Sequence, residues 1–148
     1  MSYHTWHIYG YGIKVSDIEI GTVDRLKELL KLAPAYEKKV KEWLWVNDIR
    51  EPAIEDILEY DRDFMLGLDT ILKEVIQEAE GIEFTACNDF DDERYLVYEP
   101  DYPWYLTNRS GEEKELTEEK IKEMIEKYVS ILTDEDVKVD YQSVENGG

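Results

Sequence analysis

The chain has 148 residues, 43% of them hydrophobic, which is enough for one domain with a real core. Asp and Glu outnumber Lys and Arg by 36 to 17, a net charge of -19 that works against direct binding to nucleic acid or to an anionic membrane. Cys87 is the only cysteine, which excludes an internal disulfide and a Cys-rich zinc site and fits a reducing compartment.

The N-terminal MSYHTWHIYG lacks a basic segment followed by an apolar run, so it does not read as a signal peptide. No stretch approaches the roughly 18 apolar residues of a membrane helix. The expected location is the cytoplasm. Residues 3–15 read as an aromatic-rich strand, with Tyr3, Thr5, His7, Tyr9, Tyr11 and Ile13 on one face. His4, Trp6, Ile8, Gly10 and Gly12 occupy the other, where the two glycines leave room for a helix or another backbone, or mark a bulge. The GYG pair is no phosphate loop, because no GK[ST] follows it.

Thr22 suits the N-cap of a first helix, with Val23, Leu26, Leu29 and Leu30 at helical spacing. Pro34 opens a second helix with Tyr36, Val40, Trp43 and Leu44 on its apolar stripe, ending at Asn47 and Asp48. Pro52 opens a short third helix with Ile54, Ile57 and Leu58 on one side. A fourth carries Phe64, Leu68, Ile71, Leu72, Val75, Ile76 and Ala79, with Gly67 inside its pattern and Gly81 just past its end. Residues 81–106 then read as strand, acidic turn, strand and a proline-aromatic corner. Ile82, Phe84 and Ala86 form the core face of the first strand, with Glu83, Thr85 and Cys87 pointing away. The second, around YLVY, is apolar on both faces and therefore central, and the hairpin is expected in the middle of the sheet. Thr117 caps a last helix with Ile121, Met124, Ile125, Tyr128 and Leu132 as its stripe and a Leu116–Ile121 staple. Residues 137–144 alternate as a final strand, after which 145–148 fray. The sum is a single α+β domain over 1–148. Its mostly antiparallel sheet has about four strands (3–15, 82–87, 94–99 and 137–144), packed with about five helices.

No residue set spells out a chemistry. His4 and His7 fall on opposite faces of a strand and cannot share one metal. Cys87 has no base beside it in the sequence, so a structural thiol is the better reading. Asn88, Asp89, Asp91, Asp92 and Glu93 lack the EF-hand spacing and its glycine, and read as a solvated turn. The expectation is therefore no catalytic residue, no metal and no cofactor. The acidic residues fall in three blocks. The one at 112–126 is interleaved with Lys114, Lys120 and Lys122 and reads as an ordinary surface helix. The blocks at 48–63 and 83–101 are less balanced and carry Tyr60, Tyr98, Tyr102, Trp104 and Tyr105 beside them. Acidic groups around aromatic anchors suit a basic protein surface. Glu55, Asp56, Glu59, Asp89, Asp91, Asp92, Glu93, Tyr102 and Trp104 are the expected contacts.

The opening WxxYGYGI, the central YLVYEPDYPW and the ending DYQSVENGG resemble a family of small acidic proteins of Gram-positive bacteria and their phages and mobile elements. The resemblance spans most of the chain and implies no catalytic residue. By analogy of size and charge it points to inhibitors of defence nucleases, such as anti-CRISPR proteins. The expected function is a non-enzymatic decoy for a basic, nucleic-acid-handling protein. An immunity protein that neutralises a toxin is the first alternative. A small enzyme using His7, Tyr9 and the acidic turn is the second.

Overall fold

The computed structural model describes residues 5–58, 67–89, 93–99 and 117–147. Strand β1 (Thr5–Lys14) runs into a 3-10 turn (Val15–Asp17) and then helices α1 (Val23–Leu30), α2 (Pro34–Val46), α3 (Ile54–Leu58) and α4 (Leu68–Glu80). The hairpin β2 (Thr85–Asn88) and β3 (Arg94–Tyr98), helix α5 (Glu118–Leu132) and strand β4 (Asp140–Gly147) follow. All pairings are antiparallel, in the order β2-β3-β1-β4. The α+β architecture and four-stranded sheet match the sequence reading. Among the described residues, no helix is long and apolar enough to cross a membrane.

The YLVY strand β3 is an inner strand, as expected, but the hairpin as a whole is not the middle of the sheet. β1 pairs with both β3 and β4 and takes an inner place beside β3. The short β2 is left at an edge, where a short strand exposes few unpaired backbone groups. Gly10 and Gly12 permit this arrangement. A Cβ on Gly12 would lie 2.0 Å from the Leu96 carbonyl oxygen, and one on Gly10 would lie 2.7 Å from that of Tyr98. The close approach is thus by the backbone of β3, and the register through Tyr11, Gly12, Ile13 and Lys14 is regular, without a bulge. Gly12→Ala should cost about 1–3 kcal/mol, since a backbone oxygen cannot move aside as a side chain can. An unchanged urea midpoint would contradict that account of the glycine pair.

The helices and one sheet face share a core around Leu26, Leu29, Ile71, Leu72, Ile76, Phe84, Ile125 and Tyr128, with Ile13, Leu96 and Tyr98 from the sheet. Val97 and Val144 are also fully buried but stand outside that cluster. Cys87 joins them, buried rather than pointing outward as the alternation predicted. It pairs with Tyr95 two residues from the Val97–Thr85 pair, on the same face, so β2 and β3 bury residues on both faces.

Thr22 and Thr117 accept the backbone N–H groups of Arg25 and Lys120, as N-caps do. Gly81 ends α4 in the left-handed conformation, φ 74°. Two helix ends are instead satisfied from a distance. α2 begins after Ala33, which has no capping side chain, and Glu78 of α4 accepts from the N–H groups of Ala35 and Tyr36 at 2.9 and 3.1 Å. The α5 C-terminus has no basic residue of its own in its last turn. Arg25 of α1 donates to the carbonyls of Ser130 and Ile131.

Other expectations shift. Gly67 is the N-cap of α4 rather than inside it, and Ala79 is exposed. β4 begins at Asp140, after Val137 and Val139 have packed half-buried against the core. It does not fray at residue 145: Glu145, Asn146 and Gly147 pair with His7, Trp6 and Thr5. Phe64 and Leu116 lie outside the described residues.

Candidate functional site: an acidic groove beside β4

Of the expected contacts, Glu55, Asp56, Asp89 and Glu93 are described, while Glu59, Asp91, Asp92, Tyr102 and Trp104 lie outside the described residues. The side chains of His7 and Tyr9 lie outside them too. Asp89 is engaged within the fold. Its carboxylate accepts from the Glu93 N–H at 3.0 Å and from the Tyr95 hydroxyl at 3.1 Å, and its own N–H donates to the Glu93 carbonyl. It fixes the hairpin turn, and burial together with the bond to Asp89 pushes the Tyr95 phenol up to about 12. Glu93 lies 3.8 Å from Lys14. Asp56 accepts from the Ala53 N–H at 2.8 Å. Glu55 is exposed and lines a groove of about 540 Å³ with Ser16, Gly67 and Arg94.

A denser set of carboxylates lies elsewhere. A groove of about 450 Å³ runs between the segment after α5, the start of β4 and the end of β1. Asp17, Glu135, Asp136 and Asp140 line it, with Lys14 and Lys138 as the cations. Lys14 lies 4.0 Å from Asp17, and Lys138 lies 3.8 Å from Asp140. Tyr141, 43% exposed, also lines the groove. Its ring meets Tyr11 edge-on at 5.1 Å and its hydroxyl donates to Glu118. A partly exposed aromatic ring thus stands among carboxylates from three segments. The TDEDVKVDY sequence is the signal for this site. It reads locally as the end of a helix and a strand, and only the pairing of β4 with β1 brings Asp17 to it.

One buried carboxylate was also not read from the sequence. Asp69, in the first turn of α4, is 2% exposed and lies 3.3 Å from the Arg94 guanidinium. Burial raises its pKa, while Arg94 and the helix N–H groups pull the other way. Gly67 leaves the room, since a Cβ there would press on Asp69 and Arg94 at 3.3–3.4 Å. Nearby, burial and the carboxylates of Asp69, Glu99 and Asp89 push the Cys87 thiol up to about 12. At pH 8 the thiol is then almost wholly protonated. Iodoacetamide should therefore label Cys87 slowly in the native protein and rapidly once guanidinium unfolds it. Equal rates in both states would overturn this placement of the thiol.

Among the described residues, no group of three or more His, Cys, Asp or Glu is placed to hold a metal ion. Compared with protein-family models, with curated proteins and with solved structures, the chain matches none.

Proposed function

We propose that the protein is a non-enzymatic binding protein whose acidic surface engages a basic, nucleic-acid-handling protein, as a decoy or inhibitor. The observation that carries this reading is the groove beside β4, lined by Asp17, Glu135, Asp136 and Asp140 against Lys14 and Lys138, with the partly exposed Tyr141 in its wall, on a chain of net charge -19. Clustered carboxylates present the charge that a phosphate-binding surface attracts, and an aromatic anchor adds contact area that charge alone lacks. Asp89 and Asp56, whose carboxylates also serve the hairpin turn and the start of α3, stay among the proposed contacts. Exposed Glu55 remains part of the proposed acidic surface. The lone, protonated Cys87 fits action in the reducing cytoplasm.

The test is association kinetics with a captured partner over a salt series. Charge steering makes the on-rate fall with salt, while aromatic anchors chiefly set the off-rate. Glu135→Lys with Asp136→Lys should slow association about tenfold at low salt and flatten its salt dependence. Tyr141→Ala should speed dissociation instead. The same reversal at Glu119 and Glu123, on the lysine-laced face of α5, should change little. If all three variants bind like the parent, the acidic groove is not the contact.

A further inference from the structure

We draw no further inference here: the strongest candidate, the exposed Trp45 and Val46 patch at the end of α2 with the Arg50 guanidinium over the Trp45 ring, carries none because nothing in the structure shows what covers it.

Discussion

Arg94→Met is expected to destabilise the protein by about 3–5 kcal/mol at neutral pH. Methionine keeps much of the apolar stem but removes the cation facing Asp69, whose side chain is almost wholly out of water. The helix N–H groups that also favour the carboxylate remain, yet burial already raises the Asp69 pKa with Arg94 in place. Without the guanidinium that pKa rises further. A carboxyl whose folded pKa lies above its unfolded value binds more protons folded than unfolded. Its contribution is then most favourable below the ordinary aspartate value of about 3.9 and is lost as pH rises through the folded pKa. The gap between variant and parent should therefore be largest at neutral pH and narrow as pH falls. Urea unfolding of both proteins at several pH values checks this. A gap independent of pH would mean that Arg94 acts through packing rather than through the buried charge.

Leu72→Ala should cost about 2–5 kcal/mol. Leu72 is fully buried on α4, between Ile71 and the Val75–Ile76 pair, in the cluster that joins the helices to Phe84 and Leu96. Truncation removes buried methyl groups and leaves a space that neighbours on several elements would have to close together. Interiors packed this densely relax only in part. Equilibrium urea unfolding gives the number directly. A loss below about 0.5 kcal/mol would mean that the α4 stripe is not part of the core.

The α4 stripe was legible because a helix states its buried face locally. Leu68, Leu72 and Ile76 recur every four residues, and all are buried. The caps at Thr22, Gly81 and Thr117 and the helix start at Pro34 were legible for the same reason, since each depends on residues within one turn. What escaped depends on partners far apart in the chain. Arg94 reaches Asp69 across 25 residues, Glu78 caps α2 from 42 and 43 residues away, and Arg25 reaches the end of α5 across more than 100. No local pattern encodes such pairs. Asp69 in particular reads as one more first-turn carboxylate, and Glu78 as one more exposed acid. The sheet order was not legible for a related reason. Alternation reports which faces are buried but not which neighbour a strand chooses, and the close approach of β3 to β1 rests on Gly10 and Gly12. The candidate site was partly legible. An excess of carboxylate near aromatic rings was evident from composition and spacing. Its densest described place was not, because Asp17 comes to line one groove with Asp136, Asp140 and Tyr141 only through the β1–β4 pairing. Asp89, chosen for its exposed-looking turn, serves the turn itself.

The central claim, that the acidic surface occupies the nucleic-acid site of a basic partner, is tested most directly by competition. A labelled duplex is first bound to the captured partner, and this protein is then titrated in. The account predicts full displacement of the duplex at saturation, with an apparent affinity that falls steeply with salt and drops at least about tenfold for the Glu135→Lys, Asp136→Lys variant. Simultaneous binding of duplex and protein, or displacement that the charge reversal leaves unchanged, would contradict it.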